Sequence, residues 1–163
     1  MVDGLTEHGI YQSPLCLEAL RSMAAAVPAA PPEKLFVRRR ATKRPLLNEE
    51  SIEATLREHG FVVVDPGTMP LTAQIALFKG ASLVVGALGA ALSNIAFCSP
   101  GTRVVALTSQ SFPDTFFWFL AQHGGLSYEE VRGQDAIAAP IAEMPWDAGF
   151  TLPEADLAYL AAL

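Results

Sequence analysis

Six of the eleven lysines and arginines in this chain lie between Lys34 and Arg44: Lys34, Arg38, Arg39, Arg40, Lys43 and Arg44. In a chain of formal net charge −6, so dense a basic cluster is either a solvated loop or an anion site. Guanidinium groups bind pyrophosphate through forked, charge-assisted hydrogen bonds that a lysine ammonium does not match in shape. Arg38, Arg39 and Arg44 are the candidates, and because consecutive arginines point in different directions, at most two reach one ligand. A second anion-binding element lies in Ala81–Leu107, ASLVVGALGAALSNIAFCSPGTRVVAL, and its Gly86–Ala90 bend is expected to converge with those guanidinium groups on one diphosphate. There an apolar strand (Ser82–Val85) runs into a turn containing Gly86 and Gly89, then a helix-forming segment (Ala90–Phe97), then a strand (Arg103–Leu107). A helix N-terminus at the carboxyl end of a buried strand offers free N–H groups and a positive dipole to a phosphate. Gly86 and Gly89 either let a phosphate or sugar approach the backbone or only supply the φ angles of a tight turn. Ser93 and Asn94 follow. Asn is a poor interior helix residue, so its amide is expected to have a specific partner, either a ligand hydroxyl or neighbouring backbone.

Other chemistries fit less well. Cys98 lies in AFCSPG with no histidine nearby in sequence, which reads as a buried structural thiol. Ser93 lacks the G-x-S-x-G setting of a nucleophile elbow. His8, His59 and His123 are scattered, and the last two precede glycines where helix capping explains them. No metal or other cofactor is expected. A dinucleotide oxidoreductase would show G-x-G-x-x-G and an acid about 20 residues on, whereas this turn reads G-A-L-G-A-A with no acid in Ala106–Gln110.

The elements that must position these residues alternate between strand and helix. Ser13-Pro14 starts a helix expected from Leu15 to about Ala26, which ends in the Ala/Pro connector Ala24–Pro32. Leu35–Val37 is a short strand leading into the basic segment. Asn48 is the expected N-cap of a helix that carries Glu49 and Glu50 in its first turn, buries Ile52 and Leu56, and ends at Gly60. Phe61–Val64 is a buried strand closed by Asp65-Pro66-Gly67. A helix over Thr72–Lys79 follows, with Leu71, Ile75 and Phe78 on one face and Gln74 either a buried amide or solvent-facing. After Leu107 an aromatic helix is expected from Phe112 to about Gln122, then a strand at Tyr128–Val131 and an irregular loop over Ala136–Phe150. A last helix begins near Pro153, with Leu157 and Leu160 inward. Strands that are continuous apolar runs indicate a parallel sheet covered on both faces, hence an α/β, Rossmann-like three-layer domain. The expected division is an N-terminal helix and connector over 1–32 and a Rossmann-like domain over 33–163, for which the resemblance described below implies nucleotide-sugar binding.

The 163 residues, 51% hydrophobic and 17% charged, suit one globular domain, and the acidic balance argues against general nucleic-acid binding. No apolar run reaches the roughly 18–20 residues of a membrane span. MVDGLTEHG lacks a signal-peptide pattern, and Cys16 and Cys98 match no metal or redox spacing. Reduced thiols and a cytoplasmic location are expected.

Several segments together resemble the C-terminal half of glycosyltransferase family 61: LFVRRRATKRPLLNEESI, HGFVVVDPGTMPLTAQIALFKGASLVVGALGAALSNIAFCSPGTRVVAL and GFTLPEADLAYLAAL. The likeness covers about Glu33 to Leu163, with the Arg-rich turn, N-E helix start, G-F strand, G-x-x-G-A-x-L-x-N turn and P-G-T strand in order. It implies a GT-B-like enzyme of two Rossmann-like domains in polysaccharide or glycan biosynthesis, of which this chain is the donor-binding half. The implied partners are a nucleoside-diphosphate sugar, a glycan or other hydroxyl acceptor, and an N-terminal domain or second chain. Matching positions are Arg38 or Arg39, Arg44, Asn48, Gly86, Gly89, Ala90, Leu92 and Asn94. The implied reaction is metal-independent, inverting transfer, with cations and helix dipoles stabilising the diphosphate. Family members commonly carry Pro-His before the second glycine of the turn, where this chain has Ala87-Leu88. That departure motivates the alternative expectation of a non-catalytic α/β interaction module derived from a truncated or decayed transferase.

Overall fold

The computed structural model describes residues 13–31, 33–39, 43–112, 114–136 and 148–163. Arg40, His8 and most of the segment expected to form a loop before Phe150 lie outside them. In chain order the elements are α1 (Pro14–Met23), β1 (Glu33–Val37), α2 (Glu49–Glu58), β2 (Phe61–Val64), α3 (Leu71–Gly80), β3 (Ala81–Ala87), β4 (Arg103–Ser109), α4 (Phe116–Gly124), β5 (Ser127–Asp135), β6 (Phe150–Thr151) and α5 (Glu154–Ala161). Short 3₁₀ helices cover Pro66–Thr68 and Ala90–Phe97.

One six-stranded sheet runs β2-β1-β3-β4-β5-β6. The first five strands are parallel, and β6 joins antiparallel at Gln134 and Asp135. β1, β3 and β4 are apolar on both faces because each face is covered. Leu35, Val37, Val84 and Val104 point into a layer made by α1, α3, α4 and the Ala90–Phe97 helix. Phe36, Leu83, Val85 and Val105 point into the layer of α2 and α5, with Ile52, Leu56 and Leu160. The result is the three-layer, Rossmann-like α/β fold. No helix among the described residues is long and apolar enough to cross a membrane.

The departures from the sequence expectations have physical causes. Ala90–Phe97 is a 3₁₀ helix and not an α-helix. Leu92, Ile95 and Cys98, all buried, recur every three residues, which is the 3₁₀ period. α4 begins at Phe116, four residues later than expected, because the Asp114 carboxylate accepts the Phe116 N–H at 2.8 Å. Leu71 opens α3 but is 60% exposed, so Ile75 and Phe78 alone make that buried face. β5 runs to Asp135, and β6, unforeseen, pairs with its end. Cys16 is exposed despite its apolar neighbours, whereas Cys98 is buried as expected. Gln74 is half-buried, its amide donating to Pro66 O (2.8 Å) and Met69 O (2.9 Å).

Candidate functional site

The strand order sets the place of the site. From β1 the chain crosses to β2 on one side, and from β2 it returns to β3 on the other. The segments leaving β1 and β3 therefore diverge at the carboxyl ends of those strands, the place where open α/β sheets bind ligands, the β1/β3 crevice. Val37 is in register with Gly86, so the basic segment and the glycine bend leave the sheet side by side.

Strand alternation then separates the two arginines that follow β1. Leu35 and Val37 face the layer containing the Ala90–Phe97 helix, while Phe36 faces α2. Continued with period two, Arg38 goes with Phe36 and Arg39 with Val37. Arg38 indeed pairs with Glu53 of α2, which also receives Arg57 at 2.9 Å. Arg39 turns to the glycine bend. Its Nη1 donates to Leu88 O, its Nη2 to Lys43 O at 2.9 Å, and its backbone N–H to Glu49 Oε1 at 2.7 Å. Its Nε is buried with no hydrogen-bond partner.

Gly89 makes room for that guanidinium. Its φ of 170° is extended backbone, so conformation does not require glycine there. Space does: a Cβ would lie 2.9 Å from Arg39 Nε and 3.1 Å from Cζ. Gly86 has a different task inside β3, where a Cβ would come within 2.9 Å of Val37 Cβ. Neither glycine lies in the left-handed region, so the tight-turn explanation does not apply to them.

Arg44 does adopt positive φ, 51°, and its Cζ lies 4.2 Å from the Phe112 ring centroid, a cation–π contact. Burial, and then the Arg44 charge, hold the Arg39 guanidinium down at about 10, with Glu49 pulling the other way. Arg39 is still a cation at neutral pH. Burial raises the Glu49 carboxyl, opposed first by the Arg39 N–H and then by the Arg38 charge. The crevice thus carries two cations at close quarters, one half-buried acid and an unsatisfied donor.

The remaining sequence candidates sit as follows. Asn48 occupies the N-cap position of α2 without a side-chain cap. Its amide instead clamps Leu152, donating to Leu152 O at 2.9 Å and accepting Leu152 N–H at 3.1 Å. Asn94 donates to Ala91 O at 3.0 Å, so the partner expected for its amide is neighbouring backbone. Ala90 is exposed and Ser93 half-buried on the 3₁₀ helix that opens beside Gly89. Leu88 is buried in the apolar cluster on that face of the sheet, and its carbonyl accepts from Arg39. Reading by residue type passed over Phe112 and the wider role of Glu49. Glu49 could have been found by its place at the start of the helix that follows the basic run.

The family model for glycosyltransferase 61 matches residues 6–105, a span that includes Arg39, Arg44, Glu49 and Gly89. A comparison with curated proteins gives no match.

Proposed function

Because the chain belongs to glycosyltransferase family 61, we propose that its β1/β3 crevice holds the diphosphate of a nucleotide-sugar donor, whose sugar passes to an acceptor hydroxyl. In such a transfer the acceptor hydroxyl oxygen bonds to the anomeric carbon and gives its proton to a base or to water, as the bond from that carbon to the diphosphate breaks and its electron pair leaves on the diphosphate oxygen. Negative charge then grows on the departing phosphate oxygens. Arg39 and Arg44 supply fixed positive charge there, and the N–H groups that open the 3₁₀ helix add a partial charge of the same sign. No metal is needed for that role.

The observation that supports this reading is the setting of Arg39: lodged against Gly89 at the strand-order reversal, next to a second arginine, with a buried Nε still to be bonded. A bound diphosphate would satisfy the donor and relieve the repulsion together.

The test is thermal unfolding of the purified chain with UDP, GDP and their sugars. A ligand at about 100 times its Kd adds about 2.7 kcal/mol of stability. Arg39→Ala is expected to weaken the best nucleotide by about 30-fold, or roughly 2 kcal/mol. The proposal fails if no nucleoside diphosphate shifts the transition, or if Arg39→Ala leaves the shift intact.

One observation favours a second reading. The Leu88 side chain, at the position where the resemblance leads one to expect histidine, is sealed in the core. A non-catalytic interaction module would use the same fold and bind no nucleotide, so the same titration separates the two.

A further inference from the structure

We propose that the hollow between the start of α4 and β5 binds a neutral saccharide, the acceptor of the reaction. It has a volume of about 500 Å³ and is lined by Asp114, Trp118, Tyr128, Glu129, Glu130 and Arg132. That size is within the range of small-ligand sites, about 300–1,000 Å³.

The lining has the chemistry of sugar recognition. Trp118 is 45% exposed at the start of a helix whose neighbours Phe117 and Leu120 are buried. A large indole held at the mouth of a hollow offers an apolar plate for the C–H face of a pyranose. Beside it the polar groups are already ordered. Tyr128 Oη donates to Glu130 Oε1 at 2.9 Å, and Arg132 Nη2 donates to Glu130 Oε2. Arg132 Nη1 also reaches Phe112 O at 3.4 Å. The Glu130 carboxylate keeps acceptor lone pairs and the Arg132 fork keeps donors, so the pair presents both kinds of partner to adjacent hydroxyls.

Charge selects the class of sugar. Glu129 is already engaged by Arg103 at 2.7 Å. That leaves Asp114 and Glu130 against Arg132, a balance that disfavours phosphates and uronic acids. The β1/β3 crevice is cationic and the β5 hollow is acidic, so the two do not compete for one ligand.

Position makes the saccharide an acceptor. The hollow lies beyond β4, about 12 Å across the sheet from the β1/β3 crevice at the ordinary strand spacing. That distance leaves room for the donor's own sugar between them. Phe112 spans the gap, with its ring on Arg44 and its carbonyl on Arg132. The word acceptor rests on the donor reading above; the saccharide site does not.

The experiment is calorimetric titration of the full chain with neutral tetrasaccharides of glucose, mannose and xylose, and with tetragalacturonate as the acidic control. At least one neutral tetrasaccharide is expected to bind. Trp118→Ala and Arg132→Ala should each weaken it about tenfold, with Trp118→Phe recovering part of the loss. The acid should bind at least about tenfold less well. The saccharide site is overturned if no neutral tetrasaccharide saturates at roughly 10 mM, if Trp118→Ala changes nothing, or if tetragalacturonate binds best. The acceptor assignment is overturned if Trp118→Ala weakens a nucleotide sugar while sparing the free nucleotide. Saccharide binding that persists when no nucleotide binds would sink the donor reading and leave this site standing.

Discussion

The two edges of this sheet carry cations in opposite electrostatic settings. At the amino edge, Arg21 donates to Ala96 O (3.0 Å), Cys98 O (2.8 Å) and Gly124 O (3.2 Å). Nearby, Lys79 donates to Ala24 O (3.3 Å) and Val27 O. Those carbonyls lie at or just beyond the carboxyl ends of the 3₁₀ helix, α4 and α1, where cations are at home. At the carboxyl edge, Arg39 and Arg44 sit beside the starts of α2 and the 3₁₀ helix, where the backbone is already positive. Both edges use guanidinium groups on backbone oxygens, but only the first arrangement is complete. A cation at a helix end that welcomes it is explained by the fold. A cation at a helix start, next to another cation and with a donor unspent, is not explained by the fold alone, and the anion proposed above would complete it.

Substitutions that break one edge and spare the other sharpen this contrast, and the largest effect is expected at Gly80. A Cβ there would come 2.1 Å from the Ala30 carbonyl oxygen, which is itself fixed because Ala30 N–H bonds to Ala76 O at 2.8 Å. Gly80→Ala should cost about 3 kcal/mol in denaturant unfolding, since backbone cannot step aside as a side chain can. Arg21→Ala comes next, at about 2 kcal/mol, from three carbonyls losing a charged donor in a partly buried place. Neither change should alter nucleotide affinity. Gly89→Ala reverses the pattern. The obstacle is the tip of a flexible side chain, so stability should fall by less than about 1 kcal/mol. Displacing Arg39 should nevertheless weaken nucleotide binding by about fivefold. A Gly89→Ala protein that binds nucleotide normally but unfolds easily would show that the bend is merely structural.

Much of the fold was legible because the inner strands are apolar on both faces and their helices bear ordinary start and stop signals. β5, SYEEVRGQD, was only half legible: an edge strand half open to water has no apolar run to give it away. β6 is two residues long and owes its form to Gly133, where a Cβ would strike Thr151 O at 2.4 Å. Of the candidate site, the structure brings Arg39, Arg44 and Gly89 into one neighbourhood. Which arginine enters it depends on strand phase, and that was available in the alternation of Leu35, Phe36 and Val37. Asn48 and Asn94 show the limit of reading by residue type. Both amides have the specific partners such residues need, but those partners are main-chain groups, one of them far away in sequence.

Alkaline pH sets the two edges directly against each other. Burial pushes the Cys98 thiol at the amino edge from its ordinary 9.0 up to about 12, only partly opposed by Arg21. Between those values the folded chain holds a proton that the unfolded chain has lost, so stability falls as pH rises. Arg39 at the carboxyl edge does the reverse. Its value drops from the ordinary guanidinium range to about 10, so above pH 10 the unfolded chain holds the extra proton and stability rises with pH. Cys98→Ala should therefore flatten the alkaline decline by up to about 1.4 kcal/mol per pH unit above pH 9, whatever it costs at neutrality. Arg39→Met should steepen the decline above pH 10, by less than a full proton's worth because the group is partly solvated. Urea unfolding at stepped pH measures both slopes. Saturating nucleotide should shift only the second, because an anion on Arg39 raises its proton affinity and leaves the Cys98 thiol untouched. Slopes that move together would mean that the ligand does not sit at the carboxyl edge.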